Sequence, residues 1–122
     1  MAAQHHTLDI YGTHLHAAYT NRDWNQLRRQ FRHAELDKAN TLGLGATYDG
    51  RDPHDQHHQW IWVGLNNHHG NPAELIDTCA HEATHAALNI THRHAFNPTA
   101  GNGEPLAYLV GWLTTWLHKG TQ

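Results

Sequence analysis

The sequence has one cysteine, no long apolar run and no excess of basic residues, and each absence excludes a class of protein. Cys79 has no second cysteine to pair with, so an intrachain disulfide is excluded. No stretch approaches the roughly 18 apolar residues of a membrane-spanning helix, and residues 1–6 lack the cationic and apolar regions of a signal peptide. A formal charge of −3 does not suggest nucleic-acid binding. We therefore expect a cytoplasmic protein that binds neither membranes nor nucleic acids.

Histidine is what the chain has in abundance, with 15 in 122 residues. Because this length is near the commonest for one domain, we predict that residues 1–122 form a single domain. A chain so rich in histidine matches metal-binding patterns by accident more often than usual. A histidine pattern in this sequence therefore needs support from its context.

One histidine pattern has that support, because it lies within a predicted helix. Residues 81–85 read His-Glu-Ala-Thr-His and fall in the middle of a helix predicted over about 72–91. Asn71 reads as its N-cap and Pro72 as its first residue, where the missing N–H costs nothing. Glu74 completes a capping box, and the apolar residues that follow recur mostly at helical spacing. The two histidines thus stand on a rigid element.

Histidines four residues apart lie one above the other on a helical face, where both can bind one Zn²⁺. In this pattern Glu82, beside His81, is the general base toward water activated by the metal. A catalytic zinc takes three protein ligands. Glu104 offers the third, because it begins a second predicted helix 19 residues after His85. The sequence thus predicts a site for one Zn²⁺ formed by His81, His85 and Glu104.

With these residues the chain resembles the gluzincin metallopeptidases, particularly minimal single-domain versions that look like phage-encoded proteins. The resemblance covers roughly residues 60–118 and implies that His81, His85 and Glu104 are zinc ligands and Glu82 the general base. If the protein is phage-encoded, its place is the host cytoplasm. Larger gluzincins usually carry an Asp four residues after the third ligand, whereas this chain has Tyr108 there and Pro105 directly after Glu104.

Several assignments around the motif have alternatives. His94 is a rival third ligand, although the cationic run 91–94 is typical of a solvated helix C-terminus. Tyr108 is either the donor that stabilises the tetrahedral intermediate or a packed aromatic residue. Asp77 and Asn89, one turn either side of the histidines, orient those ligands or lie solvated on the surface.

The pattern of the whole chain predicts an α+β, minimal zincin-like fold in which a small mixed or antiparallel sheet packs on a helix. One interrupted or bulged strand over about 8–19 precedes a helix of about 21–39. Strands follow at about 42–49 and 59–65, the second apolar on both faces. A last helix runs over about 105–118. Trp112 lies off the apolar face of this helix, where a dimer or partner contact is possible.

Three functions fit this sequence. The first is a zinc metallopeptidase that hydrolyses peptide bonds of a peptide or protein substrate. In peptidases of this kind the sheet edge nearest the zinc holds the substrate, and residues near 44–49 or 60–65 would supply it. The second is a catalytically inactive, zinc-stabilised protein-binding module. The third is an interaction domain that binds no metal. Glu82 favours the first, because a purely structural site has no need of it.

Overall fold

The computed structural model describes residues 3–37, 43–51 and 56–122, and its fold is α+β, as the sequence predicts. The elements, in chain order, are β1 (Gln4–Leu8), β2 (Thr13–Ala18), α1 (Asn21–Phe31), α2 (Ala34–Asp37), β3 (Gly45–Gly50), β4 (His57–Val63), α3 (Pro72–Arg93) and α4 (Glu104–Lys119). Short 3-10 turns at Leu65–His68 and Ala100–Gly103 precede α3 and α4. In the described part of the chain, no helix is long and apolar enough to cross a membrane.

The four strands form one mixed sheet in the order β1-β2-β4-β3. β2 and β4 run parallel at its centre, while β1 and β3 pair antiparallel with them and form the two edges. The parallel pair requires a crossover connection, and the chain between β2 and β4 includes α1 and α2. The edge strand β3 packs against α3, which carries the histidine motif.

Both faces of the sheet are covered, as the apolar pattern of β4 predicts. Ile61 and Val63 point to the face covered by α3 and α4. Trp60 and Trp62 point to the opposite face, where they pack with Trp24 of α1. We refer to these as the α3 face and the α1 face of the sheet. Each is sealed by large side chains, so the sheet is a rigid base for the motif helix.

Two predictions about the N-terminal half are wrong. The segment predicted as one interrupted strand is a hairpin of β1 and β2, closed by a turn in which Gly12 has φ +60°, a conformation that glycine adopts without steric cost. The helix predicted to reach about residue 39 ends at Phe31, because Arg32 has a left-handed backbone, with φ 48°. Residues 38–42, which hold the predicted helix end and strand start, lie outside the described residues.

The two C-terminal helices match their predicted limits closely. The side chain of Asn71 accepts a hydrogen bond from the Glu74 amide, which confirms Asn71 as the N-cap of α3. α4 begins at Glu104 after Gly103, whose φ is +76°. At its far end, the Tyr19 hydroxyl donates to the Leu117 carbonyl at 2.9 Å, and burial raises the pKa of this phenol. This contact ties the end of α4 to the sheet.

Candidate metal centre

His81 and His85 lie on the exposed side of α3 with their ring nitrogens converging. Their Nε2 atoms are 3.2 Å apart, and the two rings meet edge to face with 74° between their planes. Two nitrogen ligands at 2.0–2.1 Å from a tetrahedral zinc lie about 3.3 Å apart. The histidine pair therefore has the spacing that two zinc ligands require.

Glu82 points from the same turn toward the sheet rather than toward solvent. Its side chain is only 4% exposed, and Oε1 accepts a hydrogen bond of 2.8 Å from the Thr47 hydroxyl of β3. The same hydroxyl lies 3.3 Å from the Glu82 carbonyl oxygen. The edge strand thus holds the carboxylate of Glu82 in one orientation beside the two histidines.

Gly45, at the start of β3, is the position that lets the strand approach this carboxylate. A Cβ atom there would lie 2.8 Å from Glu82 Oε2 and 2.7 Å from Thr78 Cγ2, closer than real Cβ contacts. A glycine within a strand often marks such a close approach, which is the one signal the sequence carries for this position. Thr47 carries no such signal, because Thr is common on any strand.

A cavity of about 350 Å³ opens between the start of β3 and α3. It is lined by Leu44, Gly45, Asp77, Thr78, His81 and Glu82. The cavity therefore brings the predicted general base, Glu82, and one predicted zinc ligand, His81, together with the start of the edge strand β3. It is large enough to hold a side chain or a short peptide segment.

His68 anchors the start of α3 beneath this cavity. Its buried ring donates from Nδ1 to the Gly64 carbonyl at 2.8 Å, so that Nε2 accepts from the Thr78 hydroxyl, also at 2.8 Å. Sequence reasoning treats His68 only as a turn residue, because nothing in the local sequence indicates a partner ten residues away. This histidine is structural, since both ring nitrogens are engaged within the protein.

Asp77 and Asn89, the two residues predicted to orient the histidine ligands, have different surroundings. Asn89 donates through Nδ2 to the Gln59 side chain at 2.8 Å, which ties α3 to the centre of the sheet. Asp77 lines the cavity beside His81. Cys79 is fully buried on the inner side of α3, and burial raises the pKa of its thiol to about 11. Its thiol therefore stays protonated and takes no part in the site.

Glu104 and Tyr108 lie elsewhere. Both line a groove on α4, and Tyr108 is 76% exposed, so this tyrosine is not packed in the core. The reason is helical phase: Leu113 is buried against α3, and at 100° per residue Glu104 is half a turn away from it. Within residues 3–37, 43–51 and 56–122, no three His, Cys, Asp or Glu side chains meet as a metal site. The roles of Glu104 as a ligand and of Tyr108 in catalysis stay predictions.

The rival ligand His94 does not join the histidine pair in the described structure either. It is the C-cap residue of α3, and its ring packs against Tyr11 with 5.5 Å between ring centroids. His92 is exposed near Phe96 and Pro98, where it lines a separate surface cavity. Comparison of the chain with protein-family models, with curated proteins and with solved structures gave no match.

Proposed function

We propose that this protein is a zinc-dependent peptidase whose metal is bound by His81 and His85. The observation that carries the proposal is their pair of Nε2 atoms, 3.2 Å apart, on a helix whose intervening glutamate is held against a sheet edge. An accidental pattern on a solvated helix gives no reason for Glu82 to be buried and bonded to Thr47.

The donor set suits zinc, because imidazole nitrogens are among its preferred ligands. A zinc ion bound there would supply Lewis-acid activation of water and of the substrate carbonyl. Glu104 remains our proposed third ligand. Bringing it to the histidine pair requires a rearrangement of the first turn of α4, which follows two left-handed glycines, Gly101 and Gly103.

Glu82 is the proposed general base. Thr47 donates to Oε1 and so fixes the plane of the carboxylate, which accepts the proton of the attacking water. The same carboxyl group then gives this proton to the leaving amine. A carboxylate held in place by a neighbouring hydroxyl does not need to reorient between the two transfers.

The proposed substrate is an extended peptide chain lying along β3. Of the two stretches left open by the sequence, only β3 is an edge strand, because β4 is paired on both sides. An edge strand presents unpaired backbone groups to which a peptide can add as a further strand. The cavity at the start of β3 places His81 and Glu82 beside that path.

A second candidate function is a binding module that keeps zinc but does not hydrolyse peptides. It is favoured by the position of Glu104, which lies in the groove on α4 and not beside the histidine pair.

The zinc content per chain after mild chelator washing separates a zinc protein from a histidine-rich domain that binds no metal. We expect one retained zinc in the wild type and in His92→Ala, and none in His81→Ala. Retention of zinc by His81→Ala would contradict the proposed centre.

Hydrolysis of a peptide library by the zinc-loaded protein then separates the two zinc-binding functions. We expect Glu82→Gln to keep its zinc and fold but lose hydrolysis by about 10²–10⁴-fold, the range for removing a general base. If Glu82→Gln cleaves peptides as fast as the wild type, the peptidase mechanism is wrong. If the wild type binds peptides without cleaving them, the protein is the binding module.

A further inference from the structure

The face of α4 that points away from α3 is an exposed aromatic groove of about 670 Å³. Tyr108 and Trp112 are 76% and 40% exposed there, and the rings of Trp112 and Trp116 stack at 6.2 Å with 13° between their planes. His6 packs on Trp112 at 4.9 Å between ring centroids. The tryptophan rings are thus held in place, and a partner would not have to order them on binding.

Beside the aromatic residues runs a row of small ones. Ala107, Gly111 and Thr115 recur every four residues, and all three are exposed in the groove. A Cβ atom built on Gly111 would meet nothing within 4 Å. The backbone of α4 is therefore bare at this point, and a second helix can approach it closely, because the distance between packed helices depends on the side chains at their contact.

The two ends of the groove carry opposite charges. Glu104 lies at the first turn of α4 and Lys119 at its last residue, about 22 Å apart along the helix axis at 1.5 Å per residue. Both side chains are exposed. A helix that lies antiparallel along this groove needs a positive charge opposite Glu104 and a negative charge opposite Lys119.

The centres of these three sets of residues lie within one residue of one another. The small set is symmetric about Gly111, the aromatic set about Trp112, and the charged pair about the point between these two residues. In an antiparallel pair of identical helices related by a twofold axis, each residue lies opposite the one equally far on the other side of that axis. With the axis at the centre of the charged pair, a second copy of α4 places Lys119 opposite Glu104 at both ends, and the small and aromatic sets are within one residue of symmetry.

We propose that two copies of this protein form a twofold dimer in which their α4 helices pack antiparallel, crossing near Gly111. With Glu104 of each copy facing Lys119 of the other, both Gly111 backbones lie within one residue of the crossing point, and Tyr108 is level with Thr115, next to Trp116. A parallel pair would place like charges together at both ends. One helix pair is a small interface, so the dimer is reversible and forms in the micromolar range.

Sedimentation equilibrium over a range of protein concentrations tests this dimer. We expect a monomer–dimer equilibrium for the wild type and a monomer for Gly111→Leu at all concentrations. Gly111→Leu should fold, because its side chain enters open space and Leu favours helix over Gly. The matched control is Gln26→Leu, which adds the same side chain on the exposed side of α1. A monomeric wild type, or a dimer that survives in Gly111→Leu, would overturn the proposal.

Charge reversal tests the antiparallel arrangement separately. Lys119→Glu places two acidic residues at each end of the dimer, and Glu104→Lys places two basic ones, so each variant alone should dimerise several-fold more weakly at low salt. Mixed together, they restore both opposite-charge pairs, and the heterodimer should regain the wild-type affinity. If mixing brings no gain, the antiparallel register is wrong. The readout is mass rather than hydrolysis, and both experiments are done without zinc, because Glu104 cannot face Lys119 and bind zinc beside His81 and His85 at the same time.

Discussion

Histidines cluster on both sides of the sheet, but the angle between neighbouring rings differs between the two sides. On the α3 face, His81 and His85 meet edge to face on an exposed helix. On the α1 face, four histidine rings from three strands lie nearly parallel, with centroids 4.9–5.7 Å apart and interplanar angles of 12–28°: His5, His14, His16 and His58. We call these four the stacked histidines.

This difference bears on which histidines form the metal site that we propose, because ring nitrogens also come close among the stacked histidines, with His16 Nε2 3.1 Å from His58 Nδ1. The two Nε2 atoms of His81 and His85 lie 3.2 Å apart on the exposed side of α3, and His81 shares a cavity with Glu82. Two of the stacked histidines, His16 and His58, are instead covered by aromatic rings, since both pack on Phe31 and Trp60. Our proposal places the metal at His81 and His85 because this pair is exposed and has an acidic residue, Glu82, beside it in the same helix.

Among the tests of this difference between the two faces, the largest expected effect is on zinc affinity. We expect His81→Ala to weaken zinc binding more than about 100-fold, the upper end of what removing a mere supporting residue costs. His14→Ala removes one of the stacked histidines and should leave the affinity within about twofold of the wild type. Competition titration against a chromogenic chelator measures both constants. If His14→Ala weakens zinc binding as much as His81→Ala, the metal centre is on the α1 face.

The close approach of β3 to α3 predicts the next largest effect. Gly45→Ala forces a Cβ against Glu82 and Thr78, and we expect a loss of about 1–3 kcal/mol in the free energy of unfolding, typical of overpacking. The matched control is Gly43→Ala, because a Cβ at Gly43 meets nothing within 4 Å. Urea denaturation gives both values. Equal stabilities for the two variants would show that β3 does not press on the motif helix.

Much of the α3 face was predictable from sequence because its signals are local. The N-cap at Asn71, the helix that follows and the histidine spacing are all set within one element, and the structure confirms the helix. The alternation of Trp60 and Ile61 likewise predicts which residues of β4 share a face. Local hydrogen bonding and periodicity depend on neighbours a few residues away, and a single sequence contains those neighbours.

What sequence reasoning missed depends on contacts between distant residues. The bond from Thr47 to Glu82 joins residues 35 apart, and the stacked histidines come from three strands. The break after Phe31 depends on one left-handed residue, Arg32, which is not a residue type that usually marks such a position. Contacts across the sheet depend on the order of the strands, and this order cannot be predicted from the periodicity within each strand.

A smaller effect is expected when a hydroxyl is removed from the α3 face, and the matched control removes a hydroxyl from the α1 face. Thr47→Val deletes the donor to Glu82, and we expect kcat for peptide hydrolysis to fall about tenfold, since a hydrogen bond to a charged group contributes about 1.5 kcal/mol. Thr7→Val deletes a hydroxyl 3.2 Å from His14 Nδ1 on the α1 face and should leave kcat unchanged. If both variants lose activity equally, Thr47 has no specific role in orienting Glu82.

The last test of the comparison concerns pH and one of the stacked histidines, His16. Burial, and then the neighbouring His58, His5 and His14, lower the pKa of His16 to about 3. The unfolded chain protonates this group near pH 6.5, whereas the folded protein keeps it neutral, so the unfolded state binds more protons between these values. His16 therefore contributes stability that is present above about pH 6.5 and is lost as the pH falls toward 3.

We expect His16 to add at most about 1.4 kcal/mol per pH unit to the dependence of unfolding free energy on pH in that window. The slope should be shallower in His16→Gln, which keeps a polar group beside Phe31 and His58 but cannot be protonated. Urea denaturation at a series of pH values from about 6.5 to 4.5 measures it. We expect this difference because His16 is buried and lies beside His58, His5 and His14, so protonating it costs free energy in the folded state. An unchanged slope would mean that His16 accepts a proton as readily in the folded protein as in the unfolded chain, and burial of this ring would not set it apart from an exposed histidine.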